Sequence, residues 1–173
     1  MNKAVLTPSW DYFRTVNGVG LRAIALLPTD QLDTHPIPGM RTPKEVVVHM
    51  YQNIEGITAG VASGEIRDFE AEEKATADKI KSTDALVAWC RAQWDAGHTT
   101  FQGLTDAQVQ ADVKTPWGFA FPGFIMLQIL SDEYWHHRGQ LYCYLRALGI
   151  APPSIYDFAH NEPAFQPAQK SGA

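Results

Sequence analysis

Two cysteines, Cys90 and Cys143, are all the sequence holds, and no CxxC pair is among them. Zinc-finger and thioredoxin-like chemistry therefore find no support. Each cysteine lies in an apolar-periodic segment and reads as a buried small hydrophobe. Long apolar runs are missing too: none approaches the roughly 18 residues of a membrane span. No dense Lys/Arg cluster interrupts a formal net charge of −5. Phosphate backbones are bound by concentrated positive charge, so nucleic acid is not an expected partner. The opening stretch MNKAVLTPSWDYF has no apolar core and no small-residue cleavage site, which argues against a signal peptide. A cytoplasmic protein that avoids membranes is the expectation. Sustained strand alternation is also lacking, which leaves an all-α fold.

What the chain does have is helical periodicity. Its 173 residues, 45% apolar and 19% charged, suit one domain with a real core. We expect a helical bundle over 1–160 and an irregular tail over 161–173. Trp10, Phe13, Asn17, Gly20, Leu21, Ile24 and Leu27 recur at helical spacing, predicting a first helix over 9–27 capped by Ser9. Gly18 and Gly20 weaken it and mark close packing. After a Pro-containing connection, Thr42, Pro43 and Glu45 form a capping-box start for a helix to about 62. The charged stretch 65–81 reads as a solvated loop with at most a helical turn. Ser82 or Thr83 opens a third helix with Leu86, Cys90, Trp94, Gly97, Phe101 and Leu104 on one face. Pro122 opens the last, to about 148. Two segments echo each other: LPTDQL and LTDAQV each precede an extended stretch, a proline and a helix with a candidate ligand.

Chemistry concentrates in SDEYWHHRGQLYCYLRALG. Residues four apart share a helix face, so Glu133/His137 and Asp132/His136 are two acid–histidine pairs on adjacent faces. Leu130, Tyr134, Leu141 and Tyr144 flank the first pair and turn it toward the core. A buried charge is costly unless paired or bound to metal. His49 shares a face with Val46, Met50, Asn53 and Ile57, and is the natural third ligand. Two histidines and one carboxylate suit a reactive divalent metal. The same spacing also accommodates a metal-free hydrogen-bonded pair beside a satisfied core histidine. His35, His98 and His160 read as surface residues. Tyr51, Tyr134, His136 and Gln140 are candidates to support the ligands. Trp89, Trp94, Trp117 and Trp135 read as core first and pocket wall second.

The run HHRGQLYCYLRALG closely resembles the last helix of the DinB-like family, also called the YfiT-like metal-binding bundles. LPTDQL followed by TPKEVVVHMYQNIEG resembles that family's connector and second helix, so the likeness covers most of the chain. It implies a four-helix bundle with long connections between helices 1–2 and 3–4. By position, the family's second-helix histidine falls on His49 and its HRGQ histidine on His137. The histidine four residues earlier is here Glu133, a departure that gives a two-His-one-carboxylate set. The resemblance implies a divalent transition metal (Zn, Ni, Fe or Mn), a small-molecule substrate, a homodimer, and metal-activated transfer using a low-molecular-weight thiol, or hydrolysis. The alternatives are a non-catalytic stress-associated metal or ligand binder, and a plain helical interaction module.

Overall fold

The structure, a computed structural model, describes residues 1–167; the rest of the expected tail, 168–173, lies outside the described residues. The chain is mostly helical, as its periodicity predicts, with six α-helices described where four were expected: α1 (Lys3–Ile24), α2 (Pro43–Ser63), α3 (Glu70–Lys79), α4 (Thr83–Gly103), α5 (Asp106–Gln110) and α6 (Gly123–Ala147). Two three-residue strands, β1 (Asp112–Lys114) and β2 (Ala120–Pro122), form a small antiparallel hairpin with Val113 opposite Phe121. Strands this short leave too little alternation to show in sequence. No described helix is long and apolar enough to cross a membrane.

The helix starts follow from local chemistry. Thr42 Oγ1 accepts from the Glu45 backbone N–H while Glu45 Oε2 accepts from the Thr42 backbone N–H, the full capping box. The α2 helix ends on Gly64, whose positive φ of 89° suits a residue without Cβ. Ser82 caps α4 as expected. The first helix starts six residues earlier than predicted, at Lys3 rather than Ser9, because Asn2 Oδ1 caps the Val5 N–H. Pro8 then sits inside the helix, where its missing N–H forfeits one backbone bond without ending it.

The central helix is α2, which packs along both α4 and α6. Phe13, Tyr51, Ile54, Leu86, Met126, Leu130 and Tyr134 are buried around it. A Cβ at Gly20 would overlap Tyr134 Oη, and one at Gly18 would overlap Phe165 and Asn161, so both glycines mark the close packing the sequence suggested. Part of the expected tail is anchored: Asn161 Nδ2 donates to Thr15 O (2.7 Å) and Arg14 Nη2 to Gln166 O (2.9 Å).

Two readings need correction. The charged stretch is not a loop: α3 lies within it and packs on α2. A Cβ at Gly56 would collide with Phe69, and one at Gly60 with Ile66. These two glycines let the segment approach α2, while Ala77 and Ile80 complete its buried edge. Three glutamates in its first turn and Lys79 in its last complement the helix dipole. Cys143, unlike Cys90, is exposed, because it projects from α6 away from the stripe of Leu141, Tyr144 and Leu145.

Candidate metal centre

Helices α2 and α6 bring the three predicted ligands together. One donor atom each from His49, Glu133 and His137 lies within 4.8 Å of the other two. His137 Nε2 is 3.2 Å and His49 Nε2 4.0 Å from Glu133 Oε2, and the imidazoles meet edge to face with centroids 4.7 Å apart. The His137 side chain is almost covered, whereas Glu133 is 44% exposed and forms the open side.

The hydrogen bonds on the far side of each ring set its tautomer. His49 Nδ1–H donates to Glu73 Oε1 at 2.7 Å, and His137 Nδ1–H donates to Gln140 Oε1 at 2.9 Å. Each Nε2 is then left with a lone pair aimed inward. Gln140 passes the order on: its Nε2 donates to His136 Nε2 at 3.1 Å. Three acceptors thus converge, and the Asn53 amide, 3.3 Å from His49 Nε2, is the donor found beside them.

With the Asn53 amide beside His49, it is His137 Nε2 and Glu133 Oε2, 3.2 Å apart, that call for a cation between them, a proton or a metal. A proton on His137 is disfavoured, because burial pushes that imidazole below its ordinary value; the Gln140 hydrogen bond pulls the other way, and the nearby His49 adds to the depression. Two imidazoles and a carboxylate, each imidazole held by an outer acceptor, form a donor set that fits a divalent transition metal.

Glu73 is the residue that sequence reasoning missed, since it lies in the stretch taken as a loop. The acid-first, base-last composition of EAEEKATADK is the one signal that could have marked a helix there. Of the four proposed supporting residues, Gln140 touches a ligand by hydrogen bond and His136 touches Gln140. Tyr51 and Tyr134 instead donate to Asn17 Oδ1 at 2.6 and 3.2 Å, deep in the core, and burial raises both phenols well above the ordinary value. Asp132 accepts from Gln128 and does not join the site. His35 and His160 are exposed, whereas His98 is half-buried and accepts the Trp10 indole N–H at 2.9 Å. Trp94 is buried in the core. Trp117 is 58% exposed at the hairpin tip and borders, with Arg41, Asn53, Arg67 and Glu73, a cavity of about 190 Å³ that reaches His49.

The DinB family model matches residues 1–170. Among solved structures the chain is similar to a DinB-like protein from Bacillus cereus, at 21% identity and TM-score 0.68, covering 87% of this chain and 95% of that one. It is also similar to the DinB-like protein YjoA from Bacillus subtilis, at 19% identity and TM-score 0.61, covering 82% and 91%. A mycothiol-dependent maleylpyruvate isomerase matches at 18% identity and TM-score 0.62, over 82% of this chain and 63% of that one. No curated protein matches. At these identities the structural likeness speaks for the fold.

Proposed function

The chain belongs to the DinB family, and on that premise we propose that it is a divalent-metal-dependent enzyme acting on a small organic substrate, with His49, Glu133 and His137 as the protein ligands. The observation that carries the proposal is the convergence of two imidazole nitrogens and a carboxylate oxygen within 4.8 Å of one another, with each imidazole held from outside by a hydrogen bond at Nδ1. Three protein ligands leave coordination positions open, as a catalytic centre requires. When bound, such a metal supplies Lewis acidity, which polarises a substrate or lowers the pKa of a thiol or water.

The chain's own residues do the holding and positioning. Glu73 and Gln140 keep both rings in the tautomer that offers Nε2 inward. Exposed Glu133 faces the side from which a substrate arrives, and the cavity over His49 offers two guanidiniums and the Trp117 indole to guide it. The likeness to a mycothiol-dependent isomerase supports a low-molecular-weight thiol as co-substrate, and transfer from that thiol is the reaction class proposed with it. Zn, Ni, Fe and Mn are all compatible with this donor set. A cytoplasmic homodimer belongs to the same proposal, and sedimentation checks the pairing.

Replacing the metal by Co²⁺ tests the reading. Visible absorption bands that shift on adding a low-molecular-weight thiol, together with a new sulfur-to-cobalt charge-transfer band, are expected. Cobalt bands indifferent to thiols but responsive to ester or amide substrates would replace the transferase reading with a hydrolase.

A further inference from the structure

Away from the metal ligands, a second group of side chains is left with unmet needs. Seven buried side-chain nitrogen and oxygen atoms lack a hydrogen-bond partner among the described residues, and four of them belong to Arg22, Arg138 and Tyr142. The Arg138 and Arg146 guanidiniums lie 6.0 and 5.9 Å from the Tyr142 ring. Arg22 reaches Asp157 at 2.8 Å, and that carboxylate is shared with His160. Three guanidiniums thus gather with one carboxylate, in a chain whose net charge is −5. Arg138 also lies over the Trp135 ring at 4.9 Å. It takes part in no ion pair among the described residues.

Arg138 borders a cavity of about 600 Å³ between α1, α6 and the segment after α6, whose lining includes Ser9, Tyr12, Ser131, Trp135 and Tyr156. Ser131, Trp135 and Arg138 follow one another at helical spacing, two residues out of phase with Glu133 and His137, so this face looks away from the metal ligands. Tyr12 and Tyr156 are 49% and 68% exposed and border the same cavity as Arg138.

We propose that this cavity is a second ligand site, for a small organic anion that joins a carboxylate to a flat apolar body. A partly buried guanidinium with no acceptor among the described residues is costly to leave so, and a carboxylate is the acceptor its planar fork fits best. The aromatic walls supply the apolar contact, and the volume lies in the roughly 300–1,000 Å³ range of small-molecule sites. The site stands independently of the metal centre.

Indole-3-acetate, indole-3-acetamide and inorganic phosphate are suitable probes, with the Trp135 indole N–H resonance of the full chain as readout. Saturable shifts by the acetate at sub-millimolar concentration are expected, with the amide and phosphate at least about tenfold weaker. Arg138→Gln and, on the exposed segment, Tyr156→Ala should each weaken binding about tenfold or more, while His49→Ala leaves it unchanged. Equal binding of acetate and amide, or of acetate and phosphate, would overturn the proposal. So would shifts that survive both variants, or a ligand-free dimer that Tyr156→Ala dissociates, which would make this face an interface.

Discussion

Glu133 and His137 leave α6 toward α2, while Ser131, Trp135 and Arg138 leave it toward α1 and the segment that follows α6. On the first face, each imidazole Nδ1 is anchored, to Glu73 or to Gln140. On the second, four buried polar atoms of Arg22, Arg138 and Tyr142 have no partner among the described residues. The difference separates a site whose protein parts hold one another in place from a group of polar atoms that the described residues leave unpartnered. Preorganisation is the property that metal ligation rewards, because rings already locked in tautomer and direction lose little on binding.

Substituting one residue on each face breaks the comparison most sharply. Glu133→Ala should lower metal affinity about 100-fold, roughly 2.7 kcal/mol, while Arg138→Gln changes it less than about threefold. Competition with a chromophoric chelator measures both, and equal effects would dissolve the distinction between the faces. The outer anchor comes next: Glu73→Gln should weaken the metal about tenfold through His49 alone, the size expected for a group behind a ligand. An unchanged affinity would show that α3 covers the site without orienting it.

A smaller effect sharpens the electrostatic side. Burial is the main cause depressing both His98 and His137; His98 also faces the Arg14 charge, and His137 has His49 beside it. Their neutral forms are therefore favoured in the fold. In chelator-treated protein, stability should be full above the unfolded histidine value of about 6.5 and fall as pH drops from there to the depressed folded values. Denaturation midpoints across that window check the sign, and a midpoint that rises on acidification would reverse it. The least effect is expected at a pair that belongs to neither face: Glu162→Gln removes an exposed pair with Arg91 and should cost less than about 1 kcal/mol, with metal affinity intact.

How much of this was legible in the sequence depended on whether a signal was local. The caps at Thr42 and Ser82, the proline before α6 and the i,i+4 pair Glu133/His137 are all written within a few residues, and the structure has them where expected. The α3 helix was not legible in that way, because the segment that carries it docks through Ile66 and Phe69 on Gly60 and Gly56 of another helix, and of α3 itself only Ala77 is buried. Gly56 and Gly60 look in sequence like helix weaknesses, and only the fold shows that they admit Ile66 and Phe69. Glu73 was lost with α3. Arg138, beside His137, is in sequence only part of a motif; that it finds no ion-pair partner among the described residues depends on elements brought together in the fold, which no spacing records.

The central claim is that His49, Glu133 and His137 hold one metal ion. Untagged protein purified without chelator, its bound metals quantified by mass spectrometry, tests that directly against a His49→Ala/His137→Ala variant of intact helicity. About one equivalent of a transition metal in the native sequence, lost in the variant, is the predicted result. No metal in the native protein, even after exposure to Zn²⁺, Ni²⁺ or Mn²⁺, would contradict the account and leave Glu133 and His137 as a helix-stabilising pair.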